Sequence, residues 1–263
     1  MTKKYSFLLY NIRYGAGRGW RFNLPLPLSG YLKNTTRNIS HITKFIKSVD
    51  PDIVGLIEVD RGSFRTNKQN QAQDIAKALG YHPSFNSKYG GSSLAHKIPI
   101  MNMQGNAVLT RPDIKNKRIH YFKKGVKRMA IELELEDFNI FLIHLSLTYR
   151  SRQWQLSDLY KLIKKVDKPV IVAGDFNIFW GEHEIELFMA ATGLSSMNKD
   201  NVPSFPSKKP KRQLDFILHS PDIKVLDFKV LDGITFSDHL PVSCKFSVKD
   251  RQKHLESDQK QEK

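Results

Sequence analysis

The stretch MAIELELEDFNIFLIHL, residues 129–145, sets two strand patterns back to back. Over residues 129–136, Ile131, Leu133 and Leu135 alternate with three glutamates, which predicts a strand with one face on a core and the other in water. A short turn at Asp137 leads into FNIFLIHL (138–145), apolar almost throughout, and the two halves together predict an antiparallel hairpin. RQWQLSDLYKLIKKV (152–166) then has helical character, with Trp154, Leu159, Leu162 and Val166 among its apolar positions. Beyond it, Val170–Gly174 is a buried strand that breaks off into Asp175 and Asn177, two short polar side chains with an aromatic between them.

Strand-like and helix-like segments alternate outward in both directions. A first strand is expected over 4–12. Ile39, Ile42, Phe45, Ile46 and Val49 keep the helical period, with Thr35 or Thr36 placed to cap the helix and Asp50-Pro51 to end it. DIVGLIEV (52–59) predicts a buried strand and residues 71–80 a helix closed by Gly80. A helix over 182–192 and strands near 214–219, 224–231 and 241–248 complete the series. Many strands of antiparallel character with few helices fit an α/β protein with a sheet-on-sheet core flanked by helices. No internal repeat or linker divides the chain, so residues 1–248 are expected to form one domain and 249–263 a flexible polar tail. Residues 16–33 suggest a long loop too apolar for a linker, one that packs down or touches a ligand.

Composition narrows the function classes. The chain has 263 residues, 40% of them hydrophobic, which suffices for a packed core. No run approaches the roughly 18 consecutive apolar residues of a membrane span. The apolar run near the N-terminus is broken by Asn11 and Arg13 and has no small-residue cleavage site, so no signal peptide is apparent and a cytoplasmic location is expected. Cys244 is the only cysteine, which excludes an internal disulfide. The formal net charge is +16, and it is patchy. Residues 1–49 hold nine Lys/Arg and no acid, residues 114–128 hold seven and no acid, and KKPKR (208–212) adds four. One such run is ordinarily a solvated face, but three acid-free runs point to an anionic, phosphate-containing partner.

The ends of the apolar strands share an oddity. The first strand exits at Asn11, the strand 52–57 at Glu58, the strand 138–143 at His144, and the strand from Val170 at Asp175 and Asn177. Asp215 begins another strand, and Asp238-His239 precede the last. Singly, each is commonly a turn former, a cap or a hydrogen-bonded core histidine. Strand ends of a layered α/β protein gather at a common rim, however, where sites are usually built. Oxygen ligands such as Glu58, with Asn11 and Asp238 nearby, suit a hard divalent cation, Mg²⁺ first and Mn²⁺ as a substitute. Zinc fits less well, because the two histidines are not closely spaced and Cys244 has no cysteine partner. A hard cation with paired carboxylates and two imidazoles is equipment for phosphoester hydrolysis.

YNIR, VGLIEVD, GNAVLTR, IHLSL followed by RQWQ, AGDFN, LDFIL and SDHLPV, in that order, resemble the endonuclease/exonuclease/phosphatase (DNase I-like) superfamily over residues 5–247. GDFN and SDH are the most specific pieces. The resemblance implies a four-layer α-β-β-α sandwich with two central mixed, largely antiparallel sheets, and Mg²⁺ at the rim. It makes Glu58 the principal metal ligand with Asn11 and Asp238 close by. Asp175 and Asn177 would position or activate water, His239, oriented by Asp215, would contact the scissile phosphate, and His144 would be the second imidazole on that phosphate. His144 resembles the branches that include secreted-type DNases, sphingomyelinases and lipid or inositol phosphatases, rather than the abasic-site endonucleases, although Ile143 stands where Thr or Ser is usual. Arg152 and Gln155 also fit the His-bearing branches; as residues alone they are an exposed helix face.

The leading expectation is a monomeric Mg²⁺-dependent phosphodiesterase acting on nucleic acid, with KKPKR three residues before Asp215 as phosphate contacts. A phospholipid-directed enzyme is the alternative, with Trp20, Phe22, Leu24, Leu26 and Leu28 of the 16–33 loop dipping into an anionic membrane beside Arg18 and Arg21. A non-catalytic binding module on the same scaffold is disfavoured because every expected polar position is filled.

Overall fold

The computed structural model describes residues 2–17, 35–87, 103–125 and 129–248. In chain order the elements are β1 (Lys3–Asn11), α1 (Thr36–Val49), β2 (Ile53–Asp60), α2 (Gln71–Leu79), β3 (His82–Ser87), β4 (Gln104–Thr110), β5 (Asn116–Tyr121) and β6 (Met129–Glu134). They continue with β7 (Asn139–His144), α3 (Tyr149–Ile163), β8 (Val170–Asp175), α4 (His183–Thr192), β9 (Ser195–Ser196), β10 (Asp215–His219), β11 (Ile223–Val230) and β12 (Val242–Val248).

Two six-stranded sheets result, ordered β11-β12-β1-β2-β4-β3 and β5-β6-β7-β8-β10-β9. Each is antiparallel except at its centre, where β1 runs parallel to β2 and β7 to β8. A parallel pair needs a crossover; α1 supplies it in the first sheet and α3 in the second. The two sheets therefore share one strand order, except that β6 leads directly into β7 whereas β12 pairs with β1 from the far end of the chain.

The central strands are apolar on both sides because both sides are covered. In β1, Phe7 and Leu9 enter the core between the sheets, facing Leu142, Ala173 and Ile217 of the second sheet. Leu8 and Tyr10 point the other way, onto Ile39, Ile42 and Ile46 of α1 and Ile75 of α2. In the second sheet Phe141, Val172 and Phe216 face Leu156 and Leu159 of α3 and Ile185 and Phe188 of α4. The order of layers is helix, sheet, sheet, helix. No helix among the described residues is long and apolar enough to cross a membrane.

Three local readings change. Thr35 sits at the N-terminal cap of α1 but makes no capping bond with its side chain; its hydroxyl instead receives Gln71 Nε2 at 3.3 Å. The outer side of β6 is only partly in water: Glu134 and Glu136 reach solvent, but Glu132 is 4% exposed, within 2.6 Å of His120 Nε2 and 2.8 Å of Arg118 Nη1. Arg152 and Gln155 are fully buried rather than on an exposed helix face. Residues 18–33 of the apolar loop and the tail 249–263 lie outside the described residues.

Candidate active site

Alternation along the strands aims the exit residues at one place. Asn11 keeps the phase of Phe7 and Leu9, His144 that of Ile140 and Leu142, Asp175 that of Ile171 and Ala173, and Asp215 that of Ile217, all of which enter the core between the sheets. These polar side chains therefore cap that core at one rim. Pairing register adds to this, because His144 lies opposite Asp175, and Asp175 opposite Asp215.

Glu58 reaches the same rim by a different device. Leu56 and Val59 both pack on the helix side, so strict alternation fails between them, and the pairing of β2 with β4 shifts at that point. Glu58 is the extra residue of this bulge, with φ at +58° and its amide donating to Asn106 Oδ1 at 3.2 Å. A bulge re-aims a side chain at the cost of a broken ladder. Arg13, Tyr14 and Asn177 also have positive φ, so four of the eight such non-glycine residues among those described gather at this rim. Conformations of this kind cost on the order of 1–3 kcal/mol each and persist where surroundings enforce them. Those surroundings are present: Asp60 and Arg65, both fully buried, pair at 2.7 Å, and the Arg65 guanidinium lies 4.8 Å from the Tyr14 ring centroid. Gln71 Nε2 holds the Tyr14 carbonyl at 2.8 Å.

One atom, Asp175 Oδ2, is the hub. Asn11 Nδ2 donates to it at 3.1 Å, His144 Nε2 lies 3.4 Å away and His239 Nε2 3.9 Å away. The other oxygen, Oδ1, accepts the Asn177 amide at 3.0 Å, and Asn177 Nδ2 donates to Leu145 O at 2.8 Å. His144 Nε2 is also 3.9 Å from Glu58 Oε1. On the far side His239 Nδ1 sits 2.8 Å from Asp215 Oδ2, which also accepts the Ser204 hydroxyl at 2.6 Å. Asp238 Oδ2 is 3.3 Å from Arg13 Nε, and Arg13 N donates to Asn11 Oδ1 at 3.1 Å. All eight residues expected from the strand exits are thus joined in one network.

Burial works against a charge on His239, but contact and hydrogen bonding with Asp215, helped by Asp175 and Asp238, push its pKa up to about 10. The ring is therefore a cation at neutral pH. Burial raises the Asp238 carboxyl, an effect opposed by His239 and Arg13 and reinforced by Glu58.

Residues 8–239 match the family model described as the Endonuclease/Exonuclease/phosphatase family. The chain belongs to that family. Family membership makes it a phosphoester hydrolase. Among solved structures, an endonuclease/exonuclease/phosphatase family protein from Bacteroides thetaiotaomicron shares 17% identity and a TM-score of 0.71, covering 95% of this chain and 100% of that one. The human Nocturnin catalytic domain with bound sulfate shares 23% identity, a TM-score of 0.69 and coverage of 95% and 97%. A mannosyl-6-phosphatase, also from Bacteroides thetaiotaomicron, shares 18% identity, a TM-score of 0.65 and coverage of 92% and 99%. At these identities the likeness is one of fold. No curated protein matches the sequence.

The endonuclease/exonuclease/phosphatase family is generally dependent on a divalent metal, and the donors present fit one. Glu58, Asp175, Asp215 and Asp238 bring four carboxylates to the rim, against the guanidinium of Arg13 and the imidazolium of His239. The carboxylates therefore outnumber the two cationic side chains, which suits a cation. Asp175, Asp215 and His239 place ligand-type atoms within 4.8 Å of one another. A protonated imidazole has no lone pair to offer, however, so the oxygen-bearing side of the cluster, at Glu58, is the better match to a hard cation.

Reading strand ends missed several members. Arg13 belongs to the quoted YNIR, yet its bond to Asp238 required the fold. Ser204 and Phe205 precede KKPKR; the serine holds Asp215, and the phenylalanine ring lies 4.8 Å from that of His239. Arg152 and Gln155 brace the chain just after His144. Arg152 Nη1 donates to Leu147 O at 2.6 Å, and Gln155 Oε1 accepts Ser146 N at 2.9 Å.

Proposed function

We propose that this member of the endonuclease/exonuclease/phosphatase family is a Mg²⁺-dependent phosphodiesterase that cleaves nucleic acid by in-line attack of water. The observation that carries the reading is the convergence of Asn11, His144 and His239 on Asp175 Oδ2. Asp175, held through Oδ1 by Asn177, orients the attacking water and takes its proton. His239, charged and fixed through Nδ1 by Asp215, donates from Nε2 to a non-bridging phosphate oxygen, and His144 is the second donor. Glu58 would hold Mg²⁺, or Mn²⁺ in its place, with Asn11 and Asp238 alongside. The bound ion supplies neutralisation of charge growing on the phosphate oxygens. As the water oxygen bonds to phosphorus the bond to the leaving oxygen breaks, and that oxygen takes a proton from solvent.

The preference for nucleic acid is supported by where the basic run sits. Residues 204–212 form a hairpin in which the Ser204 and Phe205 amides bond to Arg212 O, each at 2.9 Å. Ser204 holds Asp215, and Ser207 N donates to Asp238 O at 2.7 Å. Exposed Lys208, Lys209, Lys211 and Arg212 are thereby tied to the residues proposed to act on phosphate. The phospholipid reading rests on the 16–33 loop, of which residues 18–33 are outside those described. A chelator is expected to abolish activity, and so are Asp175→Ala and His239→Ala in protein that still folds. These are to be assayed on plasmid DNA, RNA, sphingomyelin, phosphoinositides and a generic diester. Full activity in either variant overturns the assignment of the site, and cleavage confined to lipids overturns the substrate class.

A further inference from the structure

Residues that follow Asn177 and precede Asp215 in the chain line a cavity of about 390 Å³, within the roughly 300–1,000 Å³ usual for ligand sites. Its walls include Phe179 and Trp180 on one side and Lys211, Arg212 and Gln213 on the other. Trp180 is 75% exposed, an unusual state for the most apolar aromatic. Lys211 and Arg212 outweigh the single carboxylate of Glu182 in the wall.

Both walls are anchored to the cluster. Trp180 follows Asn177 by three residues, and its amide donates to Glu184 Oε1 at 3.0 Å, while the other oxygen of buried Glu184 is held by Arg152. The opposing wall continues into Asp215, and Lys211 N donates to O of Phe205, whose ring is tilted against that of His239. The Arg212 guanidinium lies 5.8 Å from the Phe179 ring centroid. The backbone of both walls is thus held in place before a ligand enters.

We propose that this cavity is a nucleoside subsite: Trp180 offers its face to the base next to the scissile phosphate, and Lys211 and Arg212 neutralise the adjoining phosphate. It rests on the phosphodiesterase reading and deepens it, because an aromatic face beside cations recognises unstacked bases without demanding one sequence. A paired duplex hides base faces, so the subsite selects single strands or strand ends.

Two measurements separate this subsite from the reaction beside it. The first titrates adenosine monophosphate, and ribose 5-phosphate as the base-free control, into the intact protein while following tryptophan fluorescence. Trp180→Phe removes the contribution of Trp180 from that of Trp20 and Trp154. Quenching by the nucleotide, absent with ribose 5-phosphate and absent in Trp180→Phe, supports the subsite, and equal responses to both ligands overturn it. This readout needs no turnover, so it stands even if no phosphoester is cleaved. The second compares single-stranded oligonucleotides that carry either a base or an abasic residue beside the cleavage point. Trp180→Ala is expected to lower kcat/KM roughly tenfold on the first and hardly at all on the second. An equal loss on both, or no loss on either, overturns the proposal while leaving the hydrolysis itself intact.

Discussion

Asp215 Oδ2 accepts two hydrogen bonds, from the Ser204 hydroxyl at 2.6 Å and from His239 Nδ1 at 2.8 Å, in a pocket where all three residues are buried. Contact and hydrogen bonding with Asp215 contribute most to raising His239 to about 10 against the effect of its own burial, and Asp175 and Asp238 add to it. A histidine raised in this way contributes stability that is fully present below its ordinary pKa and is lost as pH rises through about 10. Asp215→Asn removes the charge while keeping the shape. The His239 ring, followed by NMR, is then expected to titrate well below its wild-type value, and the high-pH loss of stability is expected to shrink. An unmoved His239 titration would show that Asp215 is not the cause. Residues at this scale were legible in the sequence to an uneven degree. Asn11, His144, Asp175 and Asp215 could be read from strand exits because alternation carries them to one face. Glu58 could be named as an exit but not aimed, since the bulge that turns it depends on its amide finding Asn106 on a neighbouring strand. Arg13 could not be singled out because its partner Asp238 lies at the other end of the chain, and Ser204 because it sits in a loop rather than at a strand exit.

The pairing of β7 with β8 is the element on which the site's geometry depends, as it sets His144 opposite Asp175. Gly174 makes that pairing close. A Cβ there would lie 1.9 Å from Ile143 O, a backbone atom that cannot step aside without parting the strands. Gly80 at the end of α2 also has a positive φ, +71°, but a Cβ there meets nothing within 4 Å. Gly80→Ala is therefore expected to cost only about 1 kcal/mol of backbone strain, and Gly174→Ala about 3 kcal/mol or more, together with loss of activity. Urea unfolding of the two variants distinguishes them, and equal midpoints would contradict this account of β7–β8. The elements most easily read were those with one clear period, such as α1, β1 and β8. β3, β4 and β5 went unread for physical reasons. β4 is buried throughout yet carries Gln104, Gly105 and Asn106, so it lacks any alternation of apolar and polar residues. β3 begins with His82-Pro83 at the edge of its sheet. β5 is an edge strand of the other sheet, and its Lys117 and Arg118 read as part of a charge run; cations are a common defence of an exposed edge.

At the scale of the whole molecule, two sheets of like strand order deliver their central strand ends to one rim, so the cluster draws on both: Asn11 and Glu58 come from one sheet, His144, Asp175 and Asp215 from the other. Asp238-His239 arrive on the segment entering β12, tied by Arg13 to the first sheet and by Asp215 to the second. The chain's net charge of +16 surrounds a cluster whose own carboxylates outnumber its cations, an arrangement suited to drawing in a polyanion while leaving a place for a divalent ion at the centre. If that polyanion is nucleic acid, binding should release counterions. The logarithm of affinity should then fall linearly with the logarithm of salt, by about 0.7 per phosphate neutralised on a single strand. Replacing Lys208, Lys209 and Lys211 by alanine leaves the proposed catalytic residues in place and should lower that slope by about 2. The comparison is made by fluorescence anisotropy with a labelled single strand, in an Asp175→Ala background so that the strand survives the measurement. The hairpin's stem is held by backbone bonds between Ser204–Phe205 and Arg212, so its geometry should outlast the substitutions. An unchanged slope would place the phosphate contacts elsewhere on the surface. A loss of binding to anionic liposomes, with the slope on nucleic acid unmoved, would reassign the basic hairpin to a membrane.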